Sequence, residues 1–140
     1  ISSPNLQKED LLKSQCAHGI GHGLLAHNFL PVADALAACE GLDYVHRCWG
    51  GVSMEYLEQY LLFEENDFKE ILPRICDPFL KLDDPNKVSI CTNNIGLVLM
   101  WYTKHDLQLS KSLCEELENV EYIRSCKSGA EAEKLTNLQE

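Results

Sequence analysis

The segment Cys16-Ala-His18-Gly-Ile-Gly-His22-Gly-Leu-Leu-Ala-His27 gathers three of the chain's five histidines and three of its eight glycines. Residues four apart lie on one face of a helix, so His18 and His22 can aim two imidazoles at one point. Such a pair can hold one divalent metal, and the H-E-x-x-H metalloprotease motif uses the same spacing. Here Gly19 stands where that motif has its glutamate. His27 falls on the face opposite His18. The plainer reading of the pair is two hydrogen-bonded core histidines.

A carboxylate would complete a site, and the best candidate is Glu55 in Cys48-Trp-Gly-Gly-Val-Ser-Met-Glu55-Tyr56. Gly50-Gly51 is expected to turn the chain just before a helix. That places Glu55 in or just after the first turn, near the positive end of the helix dipole. Two histidines and a carboxylate could form a zinc or iron site with open positions. Without metal the same groups could act as a general acid–base set. Against this, a first-turn glutamate is commonly only solvated. Glu58, one turn on, is a weaker candidate. Trp49, Met54 and Tyr56 would line such a pocket, or simply form a core stripe. His46 and His105 are isolated and read as loop or surface residues.

Around this segment stand seven cysteines: Cys16, Cys39, Cys48, Cys76, Cys91, Cys114 and Cys126. None has C-x-x-C spacing, which excludes a c-type haem attachment and a zinc ribbon. Their even spread suits a disulfide framework in an oxidising compartment, extracellular, periplasmic or similar. The alternative is buried, reduced cysteines acting as small hydrophobes.

An internal repeat organises them. Cys16 to Cys39 and Cys91 to Cys114 are both steps of 23 residues, and the two copies are offset by 75. Ile20, Gly21, Leu24 and Leu42 then match Ile95, Gly96, Leu99 and Leu117, and each copy ends in a further cysteine, Cys48 or Cys126. The expected pairs are therefore Cys39–Cys48, Cys114–Cys126 and Cys76–Cys91. Cys16 is left over, a free thiol or the orphan of a partner preceding Ile1. The chain opens on Ile1 without a signal-type apolar region and reads as processed or trimmed. The second copy carries Asn93, Leu97 and Tyr102 where the first has His18, His22 and His27. The repeated unit thus folds without the histidines, which favours a specific use for them. Glu133 stands in the place of Glu55.

The elements that must position these residues are helical. Ser3-Pro4 should open a helix to about Gln15. Further helices are expected over Cys16–Asn28, Pro31–Glu40, Gly50–Glu65, Phe68–Cys76, Val88–Lys104, from Asp106 or Ser110 to Glu118, and from Glu121 onward. Gly41 suits a helix C-terminus. Asp67 should cap the Phe68 helix with Glu70. Val52, Tyr56, Tyr60 and Phe63 form an apolar stripe. Asp77-Pro78 and Asp83-Asp84-Pro85 mark a loop. The tail after Gly129 is charged and should lie on the surface. The fold class is all-α, with two copies of a disulfide-stapled antiparallel helical-hairpin unit in an α-solenoid-like stack. About seven or eight helices form one domain over residues 1–140, with copies at about 16–51 and 91–129.

Composition narrows the function. Among 140 residues, 12 basic and 22 acidic give a net charge of −10, which argues against phosphate-backbone binding and so against nucleic acid. The longest uncharged apolar run is too short to span a bilayer. No P-loop, dinucleotide fingerprint or nucleophile elbow occurs, so no nucleotide cofactor is implied and no enzyme class is assigned. The reading is an exported helical domain whose His18, His22 and Glu55 bind a divalent metal, zinc or iron, or a small ligand. The alternative is a non-catalytic, disulfide-stabilised interaction module with an acidic surface. Its partner would be a protein or the remainder of a longer repeat chain.

Overall fold

The computed structural model describes residues 4–61 and 68–139, and every regular element among them is helical. The expected caps Ser3 and Asp67, and Phe63 of the apolar stripe, lie outside the described residues. By its contacts the chain divides into two compact units, Ile1–Glu55 and Tyr56–Glu140.

In the first unit, α1 (Pro4–Ala26) is one helix, not two. Lys13-Ser-Gln-Cys16 holds neither proline nor glycine, so no residue there could make the expected break. The chain turns at Phe29, whose φ is 54°, and Pro31 leads into α2 (Val32–Ala38). Gly41, with φ 85°, supplies the left-handed turn after it. The next helix, α3 (Val45–Leu61), starts five residues before the expected Gly50 and runs through the point where the chain divides. Gly50 and Gly51 therefore lie inside a helix, and Glu55 sits in its middle, away from the positive end of the dipole.

The reason is packing. A Cβ on Gly21 would overlap the carbonyl oxygen of Cys48, and one on Gly51 would overlap that of His18. The two helices touch backbone to backbone there, so the glycines serve close approach and not a turn. Gly19 has open space around it and serves no such contact.

His18 and Gly21 face Cys48 and Gly51, and His22 faces Glu55. α1 and α3 thus run side by side in the same direction. The antiparallel hairpin is made by α2 and α3. The Cys39–Cys48 disulfide joins them, and the Trp49 indole N–H donates to Leu36 O at 3.1 Å. Ala17, Leu25, Ala35, Leu36 and Val52 fill the space between.

The second unit opens with the end of α3, followed by α4 (Phe68–Ile71), a 3-10 turn at Leu72–Arg74 and α5 (Asp77–Leu80). Asp77-Pro78 was expected in a loop. Pro78 instead enters the first turn of α5, where its missing N–H costs nothing. Then come α6 (Pro85–Tyr102), α7 (Leu107–Cys114), a 3-10 turn at Glu115–Leu117 and α8 (Val120–Gln139). Asp84 caps α6 by accepting from Asn86 N, and Asp106 caps α7 by accepting from Leu109 N. Asn119 takes the N–H groups of Glu121 and Tyr122 at the start of α8. Nearly uncharged, α6 buries Val88, Ile95, Val98, Leu99 and Met100. The charged tail continues α8 and still buries Ala130.

Within this unit α6 and α8 also run side by side in one direction. A Cβ on Gly96 would overlap Cys126 O, and one on Gly129 would overlap Asn93 O. Disulfides join Cys76 to Cys91 and Cys114 to Cys126. Of the stripe on α3, Tyr56 is half-buried and Tyr60 is 42% exposed. The Tyr56 hydroxyl donates to Ile75 O at 2.7 Å, and burial pushes its pKa up to about 12. All three disulfides are those singled out by spacing, and together they mark an oxidising compartment. Among the described residues no helix is long and apolar enough to cross a membrane.

Candidate functional site

The crossing of α1 and α3 brings His18, His22 and Glu55 together. Nε2 of His18 lies 3.1 Å from Nε2 of His22. On the other side of the His22 ring, Nδ1 is 3.6 Å from Glu55 Oε1. Glu55 thus faces the ring nitrogen opposite the one that faces His18. The side chains of His22 and Glu55 are 27% and 17% exposed, so water reaches the site without filling it.

The His18 ring is fixed by α3. Its Nδ1 faces that helix, where a Cβ on Gly50 would lie 3.7 Å away, and the ring is hydrogen-bonded to the backbone of Arg47. Burial lowers its pKa, and the neighbouring His22 and the Arg47 guanidinium push the same way. Burial thus favours the neutral form of His18, and with Nδ1 turned to α3 it is Nε2 that faces His22.

This sets a problem of proton placement. A neutral His22 has one N–H. Placed on Nε2, it bonds His18 but leaves a lone pair against the Glu55 carboxylate. Placed on Nδ1, it faces Glu55 but leaves two nitrogen lone pairs opposed at 3.1 Å. One positive charge on the His18 side of the ring, a proton or a metal ion, relieves both conflicts. Two nitrogens about 2.0–2.1 Å from one tetrahedral zinc ion would lie roughly 3.3–3.4 Å apart, close to the separation present.

Glu58 follows Glu55 one turn along the same helix. The other expected lining residues divide. Trp49 is buried against α2, with His46 edge-on to its ring at 5.0 Å between centroids. His27 is exposed, as is the free thiol of Cys16.

His105 lies in a loop, as expected, but is not isolated. It sits at φ 66° in the turn after α6, half-buried, with Nε2 3.3 Å from Glu133 Oε1. The same oxygen accepts from the Trp101 indole at 3.3 Å. Glu133 stands in Glu55's place, so a donor opposite it was the signal to look for. At the position of His18, Asn93 donates from Nδ2 to the backbone oxygen of Ser125 at 3.2 Å. Ser125 corresponds to Arg47, so both units fasten this position to the neighbouring helix in the same way.

Comparison with protein-family models, with curated proteins and with solved structures finds no match to this chain.

Proposed function

We propose that this is an exported helical protein whose first unit binds one divalent metal ion, zinc or iron, between Nε2 of His18 and Nε2 of His22. The observation that carries the reading is the pair of ring nitrogens facing each other at 3.1 Å, with each outer nitrogen already engaged. Glu55 orients His22 from the far side, in the manner of the carboxylate behind a metal-bound histidine. Two protein ligands leave open positions for water or a small ligand.

The second unit supplies the substitutions for the test. His18→Asn and His22→Leu place in unit 1 what Asn93 and Leu97 already are at a folded crossing. Protein purified without a tag should carry about one zinc or iron ion by elemental analysis. Saturating zinc at about 100 times Kd should stabilise it by about 2.7 kcal/mol. The double variant should keep its helicity and lose both effects. Glu55→Gln should keep the ion with about 10–100-fold weaker affinity. No bound or binding metal in the parent, or equal binding in the double variant, overturns the proposal. An ion kept by His18→Asn and lost in Glu55→Gln overturns it as well.

A second reading, a protein-interaction module, rests on the apolar surface of unit 1. Phe29 is 85% exposed, and Leu11 and Leu12 are more than half exposed. It predicts a partner that stays bound under chelation and is lost in Phe29→Ser.

A further inference from the structure

The second unit contains a cleft of about 680 Å³, where the first turns of α6 and α8 lie apart ahead of the Gly96–Gly129 contact. That size falls within the range of small-molecule sites. It is independent of the histidine site. We propose that it binds a neutral, hydroxyl-rich small molecule of the sugar class.

The wall carries groups that both donate and accept. Thr92 is 1% exposed, and its hydroxyl is consumed by Ser125 Oγ at 2.9 Å and by backbone carbonyls. Around this fixed centre stand Ser89, Tyr122 and Ser128. Among the described residues their side-chain hydroxyls have no hydrogen-bond partner, and neither does the carbonyl oxygen of the Asn93 amide. Ligand hydroxyls, which donate and accept equally, suit such a wall. Val88, Pro85 and the Tyr122 ring supply the apolar surface that the C–H face of a sugar ring covers.

Charge excludes the ionic alternatives. Two long helices begin at this cleft, and an uncapped N-terminus would favour an anion. Here Asp84 and Asn119 already occupy those amide groups. Arg124 is paired with Glu121 at 3.2 Å, and Lys87 lies 3.8 Å from Asp84. Among the described residues lining the cleft, a phosphate or carboxylate thus meets no cation without a carboxylate beside it. The carboxylates sit at the exposed rim, where their hold on a cation is weak.

The helix crossing does not require this wall. Counting from the paired glycines, unit 1 has Ala17 for Thr92, His18 for Asn93, Arg47 for Ser125 and Gly50 for Ser128. The Thr92, Ser125 and Ser128 hydroxyls thus belong to the second unit alone, while Ser14 and Tyr44 stand in unit 1 where the second unit has Ser89 and Tyr122.

The test is a two-dimensional NMR titration with glucose, galactose, mannose, N-acetylglucosamine, maltose and lactose. Glucose 6-phosphate and glucosamine serve as charged comparators. At least one neutral sugar should shift Ser89, Asn93, Tyr122 and Ser128, with a Kd on the order of millimolar or tighter. Asn93→Leu should weaken it by about tenfold or more. Because Asn93 also bonds the backbone, Ser89→Ala with Ser128→Ala, which breaks no internal hydrogen bond, should weaken it comparably at unchanged melting temperature. No cleft shift with any neutral sugar overturns the proposal. So does stronger binding of either charged comparator, or affinity unchanged in the Ser89→Ala, Ser128→Ala variant.

Discussion

The two units cross their long helices in the same way and use the space beside the crossing differently. In each, paired glycines let backbones touch, and a disulfide fastens a short helix to the second long one. In each, the residue three before the first glycine bonds the neighbouring backbone, His18 in one and Asn93 in the other. The glutamate is also common, but its partners differ. Glu55 faces His22 from the same crossing, whereas Glu133 is held by Trp101 and His105 from the end of α6. The comparison separates scaffold from chemistry: glycines and cysteines build the crossing, and positions 18, 22, 93 and 97 are free to be chosen.

The glycines give the largest way to break this comparison. Ala at Gly21, Gly51, Gly96 or Gly129 puts a methyl group into backbone across the crossing. Each should cost about 3 kcal/mol or more, read by thermal or denaturant unfolding. A mild effect at one pair would show that the two crossings are not alike.

Removing Cys39–Cys48 or Cys114–Cys126 as a Ser pair should cost about 2–4 kcal/mol. The penalties should be similar, since the separations are 9 and 12 residues. A loss confined to one bond would mean that only one copy depends on its clamp.

A smaller difference should appear with pH. The pKa of His18 is lowered from 6.5 in the folded protein, so the unfolded chain takes up the proton first as pH falls. Stability in metal-free buffer should therefore decline below about pH 6.5 through this residue. His18→Asn, which copies unit 2, should flatten that part of the stability–pH curve. An unchanged slope would remove the argument for a neutral His18.

The smallest effect is at Gly19, which meets nothing. Gly19→Ala should stabilise by about 0.5–1 kcal/mol in the same melts.

Much of this was legible in the sequence. Cysteine spacing gave the pairs, and the four-residue step placed His18 and His22 together. Helix boundaries were harder, because glycine has two uses. Gly50-Gly51 reads as a turn when only local preference is weighed, yet Gly51 lies in a helix for the sake of a contact 33 residues away with His18. Glu55 was identified through a helix start that is not there. It remains beside His22 because α3 lies against α1. The Trp101–His105–Glu133 cluster was missed because a left-handed turn, not a helical spacing, brings His105 onto Glu133.

The disulfides have a consequence for how the chain acquires them. Each of the six paired cysteines has its native partner as its nearest cysteine in sequence: separations of 9, 15 and 12 residues, against 23 or more to any other. Closing a short loop loses less entropy than closing a long one, so random collisions in a reduced, unfolded chain already favour the native set. Six cysteines allow 15 pairings, and Cys16, free in the native chain, adds further wrong ones. Oxidative refolding of this chain should pass through few scrambled isomers and need little help from an isomerase.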